Sequence, residues 1–192
     1  GTTPYGLRSF QIVSDVGVTL VAGGPSSWKK SARPCYAGSM SKVEASAERT
    51  IDAPAETVYG YLANLEEHRQ FLPPAFSGFE VESGGVGAGS VVRFQVSAGG
   101  RERSYRMTVA EPEPGRVITE SDSNSSLVTS FTVTPQGASC RVRISTSWDG
   151  AGGIGGFFER LFAPRAMQKI YLDELARLNA FALQRATPGS TA

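Results

Sequence analysis

Few side chains in this 192-residue chain are of types suited to acid–base, nucleophilic or metal chemistry in a recognisable pattern. The single histidine, His68, is the one group whose unperturbed pKa suits proton transfer near neutral pH. It sits in the run Glu66-Glu67-His68-Arg69-Gln70, whose polarity predicts a solvent-facing position. Nothing in the spacing places a nucleophile or an orienting carboxylate beside it. His68 is therefore a candidate acid–base group, and no other catalytic residue is assigned. One histidine excludes a multi-histidine metal site, and Cys35 and Cys140 lie far apart in differently patterned regions, so no zinc site is expected and one disulfide is possible. Cys140 falls on a predicted strand, facing outward beside Ser139. No cofactor and no metal are expected. Glu111 and Glu113, near Pro112 and Pro114, read as solvated turn residues.

A second set of residues suits binding. Phe94, Tyr105, Met107, Phe131, Trp148, Phe158, Met167 and Tyr171 offer aromatic and thioether surface for a planar or flexible apolar molecule. Thr129, Thr146 and the Tyr105 hydroxyl could orient such a molecule by hydrogen bonds. The same side chains could equally pack on one another as a filled core. Burying about 300 Å² of ligand at roughly 25 cal/mol per Å² contributes about 7 kcal/mol, much of it offset by association entropy.

The glycine-rich stretches hold less chemistry. Gly84-Gly85-Val86-Gly87-Ala88-Gly89 joins two predicted strands and is a turn. Gly150-Ala151-Gly152-Gly153-Ile154-Gly155-Gly156 precedes a helix, but it lacks the Lys-Ser/Thr ending of a phosphate loop and reads as a hinge.

These residues need elements to position them, and the chain supplies a clear series. Val43, Ala45 and Ala47 alternate with Glu44, Ser46 and Glu48 in a half-buried strand running to Ile51. Asp52 is placed to cap a helix with Pro54 in its first turn and Val58, Tyr59, Tyr61, Leu62 and Leu65 along one stripe. A second short helix spans Leu65 to Phe71, stopped by Pro73-Pro74. Six strands follow: Phe76–Ser83, Ser90–Ala98, Glu102–Glu111, Arg116–Asp122, Ser126–Thr134 and Ser139–Trp148. Turn residues punctuate them, which predicts consecutive antiparallel pairing.

Alternation puts Val92, Phe94 and Val96 on one face, with Tyr105, Met107, Val109, Leu127, Thr129, Phe131, Val133, Val142, Ile144, Thr146 and Trp148. Arg93, Gln95, Arg106, Arg141 and Arg143 take the other. A sheet with one apolar face needs a cover. The segment from Ile154 to Arg185 provides it, with Phe158, Leu161, Met167, Tyr171, Leu175, Leu178 and Ala182 near helical spacing. Pro164 is expected to bend that helix near its start. The expected architecture is α+β: a curved seven-stranded antiparallel sheet wrapped around a long C-terminal helix, with two short helices after the first strand.

Nineteen Lys and Arg against eighteen Asp and Glu leave a formal charge of +1, so no electrostatic case exists for nucleic acid. No run reaches the roughly 18 apolar residues of a membrane span. Residues 1–41 are expected to form a flexible or weakly packed extension, 42–186 the domain and 187–192 a disordered tail. Residues 1–40 make a poor secretory signal, interrupted by Asp15, and a cytoplasmic location is expected. Met40, directly before a clean strand, is a candidate start of the native chain.

The segments Ala47-Glu48-Arg49-Thr50-Ile51-Asp52-Ala53-Pro54-Ala55-Glu56-Thr57-Val58-Tyr59 and Tyr171-Leu172-Asp173-Glu174-Leu175-Ala176-Arg177-Leu178 carry a family likeness. With the element order, they resemble the START-like (SRPBCC) superfamily of polyketide cyclases and dehydrases and the birch-pollen-allergen fold. The resemblance covers nearly all of residues 42 to 185. It implies a helix-grip fold whose sheet and helix leave a cavity open near the turns and the start of the long helix. It further implies a binding or carrier protein for a small hydrophobic, lipid-like or aromatic polyketide-like molecule, or alternatively a cyclase/dehydrase of the aromatase type.

Overall fold

The computed structural model describes residues 42–98, 100–150 and 153–186, with the side chains of the last helix described from residue 163. The expectations for residues 1–41 and 187–192 lie outside the described residues.

The elements run β1 (Lys42–Ile51), α1 (Ala55–Ala63), α2 (Leu65–Phe71), β2 (Phe76–Ser83), β3 (Val91–Ala98), β4 (Arg101–Glu113), β5 (Val117–Asp122), β6 (Val128–Gln136), β7 (Ser139–Asp149) and α3 (Gly153–Ala186). The seven strands form one antiparallel sheet in the order β1-β7-β6-β5-β4-β3-β2. Strands β2 to β7 are thus a meander, and β1 returns to pair with β7, with Val43 opposite Trp148 and Ala47 opposite Ile144. Between β6 and β7 the loop is two residues long, Gln136 pairing with Ser139. Its first residue, Gly137, has φ 73°, a left-handed conformation that only glycine adopts without strain.

The register puts one row of each central strand inward. Val92, Phe94 and Val96 of β3, Met107 and Val109 of β4, Phe131 and Val133 of β6, and Val142 and Ile144 of β7 are all buried. On the opposite face Arg93, Arg141 and Arg143 pair with Glu80, Glu48 and Glu44 on neighbouring strands, and Arg106 of β4 reaches over β3 to Glu82 of β2. These exposed pairs keep that face wet and are each worth well under about 1 kcal/mol.

Helix α3 covers the apolar face. Its inward stripe, Tyr171, Leu175, Leu178 and Ala182, is buried at spacings of three and four residues, while Leu172 and Leu183 stay exposed. At 1.5 Å per residue its 34 residues reach about 51 Å, longer than the sheet is deep, and it continues through Pro164.

Three local expectations are corrected here. Asp52 does not cap α1; Pro54 occupies the N-cap position without a side-chain bond. The Asp52 backbone N–H instead donates to Asn179 Oδ1 (2.7 Å), and Asn179 Nδ2 donates to Asp52 Oδ2 (3.1 Å), tying the end of β1 to α3. Cys140 faces the core rather than solvent, and its burial pushes the thiol up to about 11. Glu111 is half-buried, accepting hydrogen bonds from the Tyr59 hydroxyl and from the Ala88 N–H (2.9 Å). Those bonds hold its carboxyl below the usual range, and burial together with the bond to Glu111 pushes Tyr59 up to about 12.

Candidate functional site

Helix α3 and the apolar face of the sheet do not fill the space between them. The small void left has a volume of about 40 Å³. An enclosed water needs roughly 10–15 Å³ by the same measure, so the space as it stands is a few waters in size. Eight of the residues singled out for binding line it: Phe94, Tyr105, Met107, Thr129, Phe131, Thr146, Met167 and Tyr171. Trp148 does not; it is partly buried against the core beside β1. The Phe158 side chain lies outside the described residues. Leu72, Phe79, Leu127 and Met167 also line the void and are only half-buried, so its mouth is built from side chains with room to move.

At the inner end the polar groups gather. His68 is 3% exposed, against the expectation from its polar neighbours. The reason is helical geometry. Leu65, His68 and Phe71 recur every three residues and turn inward together, while Glu66, Arg69 and Gln70 face water. Asn64 fixes this rotation by capping α2, its side chain accepting from the Glu66 and Glu67 N–H groups at 3.1 and 3.3 Å. The ring stacks on Phe71 at 4.9 Å and meets the edge of Phe131 at 5.3 Å.

His68 Nε2 donates to Glu174 Oε1 at 3.1 Å, and Glu174 is itself only 3% exposed. A second carboxyl, Glu120 on β5, is 7% exposed and lines the void. It interacts with His68 and Glu174 through charge alone, without a hydrogen bond to any described residue. Burial by itself would lower the His68 pKa; the Glu174 hydrogen bond and the charges of Glu174 and Glu120 outweigh it and leave the imidazole raised. Burial raises the Glu120 pKa, with the Glu174 charge adding to it and His68 opposing. Nδ1 of His68 is buried without a partner in hydrogen-bond geometry.

Beside this trio, Thr146 Oγ1 hydrogen-bonds both Thr129 Oγ1 (2.8 Å) and the Tyr171 hydroxyl. Burial pushes the Tyr171 phenol up, so it stays neutral and can donate or accept. The site thus pairs aromatic walls with three titratable groups that can hold or pass a proton. Among the described residues no cluster of His, Cys, Asp and Glu could hold a metal ion, and no helix is long and apolar enough to cross a membrane.

Glu120 and Glu174 escaped the sequence reading, yet each breaks a pattern. Glu120 follows Ile118 at the inward period of β5, and Glu174 lies between Tyr171 and Leu178 on the buried stripe of α3. A charge at an inward position was the available signal.

Relatives bear on the same region. A family model described as polyketide cyclase/dehydrase and lipid transport matches residues 42–182. Among solved structures, the KanY protein (ms6282) is 32% identical, with a TM-score of 0.67, covering 74% of this chain and 99% of its own. The Zhui aromatase/cyclase from Streptomyces sp. R1128 is 17% identical with a TM-score of 0.65, covering 79% of this chain and 100% of its own. A START superfamily protein from Mycobacterium smegmatis is 18% identical with a TM-score of 0.57, covering 74% of this chain and 98% of its own. The last two likenesses concern the fold alone. Among curated proteins no significant match is found. With the family model spanning residues 42–182 and the helix-grip architecture in place, the chain belongs to the polyketide cyclase/dehydrase and lipid-transport family.

Proposed function

We propose that this domain binds a small hydrophobic molecule, lipid-like or aromatic, enclosed between the sheet and α3. The observation that carries this is the incomplete contact between the two layers, at a place walled by Phe94, Met107, Phe131 and Met167 and edged by half-buried side chains. Natural cores leave few voids beyond water size, and apolar ones attract apolar occupants. A ring-bearing ligand needs more room than the closed form offers, so Leu72, Leu127 and Met167 swing aside on entry. Unbranched Met167 is suited to this. Protein purified without detergent is expected to carry a copurified molecule in native mass spectrometry, or to bind an apolar fluorescent probe saturably. Failure of both rejects the proposal.

A second reading, an enzyme of the cyclase/dehydrase type acting on a poly-β-ketone, is favoured by one observation: two carboxyls flank the single imidazole inside an apolar site. Groups so buried can remove and return protons to an enolisable chain held in place by the walls. His68→Gln and Glu120→Gln are then expected to change the product distribution from such a substrate. An unchanged distribution in both removes them as catalysts.

A further inference from the structure

The titratable groups around the void are unbalanced. Glu120 and Glu174 face it, from β5 and α3, and His68 faces it from α2; no Lys or Arg lines it among the described residues. One imidazolium neutralises one carboxylate, and geometry says which: His68 is bonded to Glu174 at 3.1 Å. Glu120 is left over, more than nine-tenths buried, lining the void and without a hydrogen-bond partner among the described residues. A buried carboxyl in that state is costly unless something in the cavity neutralises it.

We infer that the ligand is an apolar, preferably aromatic, amine whose ammonium group pairs with Glu120, and that carboxylates such as free fatty acids are excluded. This rests on the cavity-binding function proposed above and names its ligand class. The walls support it independently. Phe79, Phe94, Tyr105 and Phe131 line the same space, and aromatic faces attract a desolvated cation. An acid brought to the same place meets two glutamates and no described cation beyond one already engaged. The Glu120 pKa, raised first by burial and further by the Glu174 charge, shows the same imbalance.

The test compares three probes with one ring system: 2-naphthylmethylamine, 2-naphthalenemethanol and 2-naphthoate, titrated by calorimetry at pH 7.5. The amine is expected to bind at least about tenfold more tightly than the alcohol, with the carboxylate weakest. In Glu120→Gln, nearly isosteric, the ratio of amine to alcohol affinity is expected to fall to about one. If the alcohol binds and the amine gains nothing over it, or if naphthoate binds as well as the amine, this inference is wrong while the cavity stands. Should none of the three bind, the inference falls, and native mass spectrometry with the apolar-probe titration decides whether the binding function falls with it. The ranking in the unaltered protein decides the matter even if the variant does not fold.

Discussion

His68 and its two carboxyls give the molecule a pH dependence whose sign can be worked out. The imidazole has a pKa raised above 6.5 in the folded state, so it binds its proton more tightly folded than unfolded. Its stabilising contribution is fully present below 6.5 and is lost as the pH rises through the folded value. Glu120, with its pKa raised above 4.5, acts in the same direction from that lower pH. Unfolding free energy, measured by urea titration, is therefore expected to decline as the pH rises from about 6.5, and His68→Gln to flatten the decline. Glu174→Leu strips the buried imidazole of its acceptor and is expected to cost about 3 kcal/mol at pH 6. A stability that rises over this window would contradict the pairing.

At the scale of elements, the site depends on clasps that hold α1 and α2 against the sheet. The loop after β2 is pinned on three sides. Leu65 N–H donates to the Gly85 carbonyl, Gly87 N–H to the Ala63 carbonyl, both at 2.9 Å, and Ala88 N–H to Glu111. Gly87 has φ 64°, and a Cβ there would lie 2.6 Å from Glu111 Oε2. Gly87→Ala is thus expected to cost about 1–2 kcal/mol, from backbone strain and the displaced carboxylate. Tyr59→Phe removes one of the bonds orienting Glu111 and should speed hydrogen exchange at the Ala88 amide with a smaller loss, about 1 kcal/mol. Equal exchange in both proteins would show that Tyr59 does not steady the loop. Because the same junction carries Asn64, the cap of α2, loosening it also loosens the rotation that keeps His68 inside.

For the whole molecule, the energetic centre is the contact between α3 and the sheet. Leu175 is fully buried in that contact, and Leu175→Ala is expected to cost about 2–5 kcal/mol in chemical denaturation. Removal of the exposed Arg141–Glu48 pair should cost well under about 1 kcal/mol, which separates packing from surface charge. Met167→Trp, at the half-buried mouth, is expected to weaken binding of an apolar probe roughly tenfold while leaving Tm nearly unchanged.

The layer architecture is legible in the amino-acid pattern alone. Period-two alternation in Val43–Ala47, Val92–Val96 and Val142–Thr146, the turn glycines and the long stripe from Tyr171 to Ala182 are local patterns, and local sterics and hydrophobicity suffice to read them. The aromatic and threonine walls followed, because facing is a consequence of alternation. The polar heart of the site was decided only by tertiary structure. Whether His68 faces water depended on how Asn64 turns α2, and Asp52 exchanged a cap for a partner 127 residues away. Glu120 on β5 and Glu174 on α3 come from different elements and meet His68 of α2 only when α3 packs over the sheet. A charge's neighbours are set by the packing of segments distant in sequence, which no single segment encodes.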